Sequence, residues 1–205
     1  MEKEIWNPTT LMGPLPVVLV SCGTMENANV FTVAWTGIVN TKPAMTYISV
    51  QPSRLSHGMI ESSGEFVINL CSADMVRSLD LCGVKSGREV NKMEKCSFHL
   101  QKMKYVKAPG IQECPICLEC RVENKISLGS HDMFLSVIKA VHVRKDLIDS
   151  KGALQIEKAD LISFAHGKYY RLTEPIGSFG FSVRKKTSRR KLTGNYQKSI
   201  KKALE

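Results

Sequence analysis

The sequence contains no long apolar run. No stretch reaches the roughly 18 residues that a membrane-spanning helix needs. The segment Pro14 to Cys22 is apolar but short, and it reads as a buried strand. The first residues, Met1-Glu2-Lys3-Glu4-Ile5-Trp6, are polar and lack the apolar core of a secretory signal. There is no internal repeat and no low-complexity tract. No Gly-rich dinucleotide fingerprint follows a strand. No residue stands out for general acid–base work, so no catalytic side chain is assigned. These absences argue against a helical membrane protein, and they place the chain in the cytoplasm. The cysteines number seven, and an odd count without secretion signals implies free thiols rather than a disulfide framework.

A chain of 205 residues is long enough for one domain with a sizeable core. Its apolar share of 43% and charged share of 23% are those of an ordinary globular protein. The net charge of +10 is unevenly spread. Residues 184–205 hold nine Lys and Arg against one Glu, so +8 sits in that segment and +2 in the rest. The reading is a domain over residues 1–186 and a basic tail over 187–205. A basic tail can contact nucleic acid or acidic lipid. The simpler reading is a solvated end, and a nucleic-acid-binding module acting through the tail is retained only as a rival.

Strand chemistry recurs along the domain. It appears at Pro16–Ser21, Phe31–Val39, Met45–Val50, Phe66–Leu70, Cys114–Val122, Phe134–Val143 and Leu161–Leu172. Gly and Pro punctuate these runs at spacings typical of a barrel or sandwich. Helical signals are shorter: Ser53–Ser62 ending near Gly64, Ser72–Cys82 with Asp74 in its first turn, and Glu89–Cys96. The expected fold is mainly β, with short helices at the rim.

The run Cys114-Pro-Ile-Cys117-Leu-Glu-Cys120 invites a metal reading. The fourth ligand of the bacterial ferredoxin spacing is missing, because Asn124 occupies that position. Read as a strand, the segment sends Cys114 and Cys120 to one face and Cys117 to the other. No metal site is assigned, and Cys117 is expected at the surface.

Three polar groupings suggest a ligand. Ser49 to Gly58 joins a strand to a helix, where free N–H groups and the positive dipole end favour an anion. Arg54 adds a bidentate donor fork, and Ser53 and Ser56 add hydroxyls. The second group is Ser86-Gly87-Arg88, followed by Lys92. In the third, Asn29 to Thr36, small residues and hydroxyls alternate and leave room for a flat ring against backbone. A helix cap, an ordinary turn and a core strand are the alternatives for the three.

The ordered set resembles the flavin reductase-like family of FMN-binding split barrels, and within it the flavoredoxin type. The matching stretches begin with Asn29–Val39, Tyr47–His57, Gly64–Leu70 and Cys82–Arg88. They continue with Glu113–Cys120, Leu128–Phe134, His166–Tyr170 and Gly177–Arg184. The resemblance implies a Greek-key split barrel, a homodimer and FMN near the subunit interface. It implies that Asn29, Thr32, Ala34, Trp35 and Thr36 lie along the flavin and ribityl chain. Arg54, Ser56 and His57 would hold the phosphate, and Asn69, Leu70 and Cys71 would pass beside the ring. Ser86, Gly87, Arg88 and Lys92 would close the polar side, with His166 and Tyr169 on the nicotinamide or partner side. The expected activity is electron transfer through FMN from NAD(P)H or a reduced partner protein to an acceptor. A non-enzymatic FMN electron carrier is the alternative.

Overall fold

The computed structural model describes residues 1–184. The basic tail expected over 187–205 lies outside the described residues. Residues Met1–Leu172 form one compact unit. The described part of the second, from Thr173, carries a single turn at Phe181–Val183.

The strands are β1 (Leu15–Pro16), β2 (Val18–Gly23), β3 (Ala28–Val33), β4 (Thr36–Thr41), β5 (Ala44–Val50) and β6 (Glu65–Leu70). They continue with β7 (Leu100–Gln101), β8 (Gly110–Ile111), β9 (Ile116–Ser127), β10 (Asp132–Val143), β11 (Ile162–Ala165) and β12 (Lys168–Arg171). Three short helices, α1 (Leu55–Ser63), α2 (Val76–Val84) and α3 (Lys92–Lys95), join them. Seven strands form one antiparallel sheet in the order β3-β2-β6-β9-β10-β5-β4.

The two edge strands of that sheet, β3 and β4, are consecutive in the chain. Only Ala34 and Trp35 separate them, so the sheet must curl until its edges meet at that point. Ser49 N–H donates to the Trp35 carbonyl at 2.9 Å and ties the junction to β5. The edges are pinned there and open elsewhere, which is the geometry of a split barrel. The sequence reading took Phe31–Val39 as one strand; the break at Ala34–Trp35 is what allows the barrel to close.

Both faces of the sheet are buried over β2, β3, β6 and the first part of β9. Val18, Val20, Phe31, Ile48, Phe66, Ile68, Cys120 and Phe134 point into the barrel, with Ile60 of α1 against them. Each such side chain contributes about 1.5–3 kcal/mol by leaving water. The alternate residues Val17, Leu19, Val30 and Val67 face outward, against α2 and the chain from Phe98 to Ile111. This second layer corrects one expectation: Cys117 is buried, not at the surface, because Met103, Val106, Ala108 and Ile111 cover the other face of β9. Cys114 precedes the strand and lies on the Cys117 side, while Cys120 faces the barrel interior. Among the described residues, no three His, Cys, Asp or Glu side chains are placed to hold a metal.

Glu119 fastens this covering loop. Its carboxylate is fully buried and accepts the backbone N–H groups of Lys104 at 3.0 Å, Tyr105 at 2.5 Å and Val106 at 3.0 Å. His142 Nε2 lies 2.5 Å from the same group. Burial alone would raise its pKa, but the His142 bond and the Tyr105 and Lys104 N–H donors outweigh it and hold the carboxyl below its ordinary value.

Candidate functional site

The open seam of the barrel forms a cleft. Strand β3 bonds only to β2, so its outer edge faces the opening. One hollow of the cleft is lined by Thr32, Ala34 and Trp35, by Ser49 and Gln51 at the end of β5, and by Arg54 and His131. The register of β5 on β10 places Val50 opposite Asp132, which brings His131 of the β9–β10 turn beside Gln51. His131 then meets the Trp35 indole with ring centroids 4.4 Å apart. Trp35 remains 40% exposed and also borders the hollow beyond it.

Next along β3 is a hollow lined by Asn29, Gln51, Ser53, Arg54, Ser56, Lys85, Ser86, Gly87, Arg88 and Lys92. It contains four cationic side chains and no acidic one. Helix α1 begins here with Arg54 at its cap, and neither a side-chain cap nor an acidic residue occupies its first turn. Its first N–H groups are therefore open to an anion. Asn29 Nδ2 donates to Ser56 Oγ at 2.7 Å. Arg88 donates to the Ser53 carbonyl at 3.0 Å. Lys92 is 4% exposed, and its ammonium donates to the carbonyls of Val30 at 2.9 Å and Cys82 at 2.8 Å. Burial, followed by the Arg54 charge, lowers the Lys92 pKa.

A third part of the opening lies beyond Trp35. There Phe164, His166 and Gly167 line a hollow with Leu15 and residues 5–12. His166 and Gly167 form the two-residue turn between β11 and β12, both at positive φ (46° and 78°).

Thus Asn29, Thr32, Ala34, Trp35, Arg54, Ser56, Ser86, Gly87, Arg88 and Lys92 line two adjoining hollows of the cleft, with His166 in the third, beyond Trp35. The other candidates do not line it. Thr36 is buried and donates to the Tyr47 carbonyl at 2.5 Å. His57 turns to Asp132, 2.8 Å from Nε2, with its ring edge-on to Phe134. Asn69 is fully buried, donating to Ser21 Oγ at 2.9 Å and accepting from Ile111 N–H at 2.9 Å. Leu70 and Cys71 line a separate depression with Leu15 and Leu161. Tyr169 donates to Asp80 at 2.9 Å, and burial, then that carboxylate, pushes its phenol up to about 12. Gln51, Lys85, His131 and Phe164 line the cleft and were not expected. His131 lies inside a stretch already matched, and Lys85 stands one residue before Ser86.

Residues 13–173 match the model of the flavin reductase like domain, which covers most of the chain. The chain belongs to the flavin reductase-like family. An uncharacterized protein of Archaeoglobus fulgidus is 34% identical over 138 residues, spanning 67% of this family member and 77% of that protein. Flavoredoxin of Desulfovibrio vulgaris (Miyazaki F) superposes with a TM-score of 0.83 at 25% identity, covering 89% of this flavin reductase-like chain and all of that one. Flavoredoxin from Methanosarcina acetivorans gives 0.80 at 26% identity with the same coverage. Among the described residues, no helix is long and apolar enough to cross a membrane.

Proposed function

We propose that this chain binds FMN in the seam cleft and uses it to pass electrons from NAD(P)H or a reduced partner to an acceptor. One observation carries the reading: four cations and an uncapped helix start converge in a hollow without acidic residues, directly beside a ring-sized slot edged by Trp35. That pairing suits a ligand with a flat heterocycle at one end and a phosphate at the other. The two flavoredoxins among its structural neighbours support the same ligand class.

Bound there, FMN supplies the redox chemistry, and the protein supplies position and electrostatics. Arg54, Arg88, Lys85 and the α1 start hold the phosphate. Ser56, fixed by Asn29, presents its hydroxyl to the same group. Lys92 would add a buried positive charge at the edge of that hollow, favourable to an anionic ligand. Trp35 and His131 border the ring and exclude water from one side. His166 and Phe164 leave the far end open to a transient donor. A homodimer in the cytoplasm accompanies this reading, on the family resemblance.

The test is titration of flavin-free protein with FMN. About one FMN bound per chain, with a rise in melting temperature, is the expected result. No change in either the flavin signal or the melting temperature refutes the reading. Reduction of the bound FMN by NADH or NADPH then separates a reductase from a carrier.

A further inference from the structure

Two thiols bracket the loop that carries the far side of the phosphate hollow. Cys82 lies in the last turn of α2, and Cys96 caps the end of α3. The thirteen residues between them include Lys85, Ser86, Gly87, Arg88 and Lys92, all lining the hollow. The two sulfurs are 3.9 Å apart. Helix α2 positions Cys96 as well: its thiol lies 3.9 Å from the Ser78 carbonyl, one turn before Cys82. The Lys92 ammonium donates to the Cys82 carbonyl at 2.8 Å and to the Val30 carbonyl of β3 at 2.9 Å. Arg88, donating to the Ser53 carbonyl at 3.0 Å, ties the loop to the barrel a second time. Both ties run through long cationic side chains, the same groups that a phosphate recruits.

A second close pair gives a contrast. Cys71 and Cys114 are also 3.9 Å apart, but they are 1% and 5% exposed. Cys82 is buried too, whereas Cys96 is half-buried. A reagent therefore has one entry point, the Cys96 sulfur. Burial pushes the Cys82 thiol up to about 12, with the Lys92 charge opposing it, so Cys82 is suited to react second. To bond, the sulfurs must approach by roughly 2 Å. Cys96 ends a helix of only four residues, an element short enough to shift by that amount.

We propose that Cys82 and Cys96 are a redox-active pair, oxidised by a small disulfide of the glutathione type, and that the bond between them closes the phosphate loop on its ligand. The Cys96 thiolate attacks the small disulfide, forms a mixed disulfide and releases one small thiolate, which takes up a proton. Cys82 then loses its proton to water and attacks the Cys96 sulfur, expelling the second small thiolate. Two protein thiols give up two electrons, and one small disulfide is reduced to two thiols. Cys82 never meets the reagent itself. A loop pinned at both ends is pre-organised for the phosphate, so the oxidised form binds FMN more tightly. That consequence rests on the flavin reading of the cleft.

The flavin-free, fully reduced chain is incubated with glutathione disulfide. Peptide mass mapping after alkylation reads the bonds, and fluorescence titration reads FMN affinity. The wild type is expected to show a Cys82–Cys96 bond with no glutathione retained. Oxidation is expected to tighten FMN binding about threefold to tenfold and to raise the melting temperature by about 5–10 °C, both reversed by dithiothreitol. Cys96→Ser is expected to take up no glutathione and to show no change in FMN affinity on treatment. Cys82→Ala is expected to stop at the mixed disulfide, with glutathione still on Cys96. Should that buried replacement fail to fold, the wild-type map and Cys96→Ser decide the matter. Glutathione retained on Cys96 of the wild type, a bond between Cys71 and Cys114 instead, or an FMN affinity that oxidation leaves unchanged or lowers overturns the proposal. If neither redox form binds FMN, the flavin reading falls and takes the affinity effect with it. If FMN binds and no Cys82–Cys96 bond forms, the thiol pair alone falls.

Discussion

Replacing Arg54 with alanine tests the phosphate end of the cleft without disturbing the fold. The guanidinium is exposed, and its one hydrogen bond among the described residues, to the Gly83 carbonyl, is long at 3.4 Å. Removing it orphans no buried group, so folding stability is expected to stay within about 0.5 kcal/mol. FMN loses a charge-assisted hydrogen bond worth about 1.5–3 kcal/mol. At about 1.4 kcal/mol per tenfold, the affinity falls roughly 10- to 100-fold. The lower end is expected, because Lys85, Arg88 and Lys92 remain in the same hollow. Riboflavin has the same ring and ribityl chain but no phosphate, so its affinity is expected not to change. Arg54→Lys keeps the charge, loses the fork and falls between the two. The assay is flavin fluorescence titration of wild type and variants with both ligands. Equal losses for FMN and riboflavin, or no loss for either, refute the assignment of the phosphate to this hollow.

Glu119→Gln presents an amide NH2 to donors that now share a carboxylate; about 3 kcal/mol of stability is expected to go, lowering the melting temperature by about 6–12 °C. A change below about 1 kcal/mol in urea unfolding contradicts the staple described for Glu119. Acid unfolding has a defined sign: the Asp132 carboxyl, held low chiefly by its bond to His57, and that of Glu119 are both below their ordinary values. Their stabilisation is complete above the usual carboxylate range near about 4 and is lost as pH falls through the lowered values; stability rising on acidification from pH 5 to 3 contradicts this. Burial, as the leading cause, pushes the thiols of Cys82, Cys117 and Cys120 up to about 12, so Cys96, the one cysteine not fully buried, is expected to react first with a disulfide reagent and the rest only on unfolding. Light scattering of the FMN-loaded protein is expected to give twice the chain mass.

The cleft was legible in the sequence where ligand chemistry is local. Arg54 and Ser56 sit at a strand-to-helix junction, and the Gly64 stop is real: its φ is 67° and its N–H caps the Ile60 carbonyl at 2.8 Å. What stayed hidden was long-range. Period two assigns residues to faces but does not say that both faces are covered, so Cys117 read as exposed and the role of Glu119 gave no signal. The same blindness affects polar residues in a matched motif. Asn69 and His57 lie next to plausible ligand residues in sequence, yet one knots the core beneath β2 and β6 and the other bonds Asp132 across the barrel. The helix over Ser72–Cys82 began late for a local reason: Ser72 bonds the Asp74 carboxylate instead of a backbone N–H, and a single tight turn precedes α2. Gly83 falls inside that helix because its bare Cα lets α2 approach Thr32, where a Cβ would meet the Thr32 side chain at 3.2 Å.

The seam between β3 and β5 also has a bearing on how the molecule behaves in a crowded solution. An edge strand with free N–H and C=O groups is a template for another chain. Here Lys92 covers one carbonyl of β3 at Val30, and the remainder borders the cleft. Whatever fills that cleft therefore also shields a sticky edge. Protein made faster than its ligand is supplied would expose the edge, and its solubility would follow ligand supply as closely as its activity does.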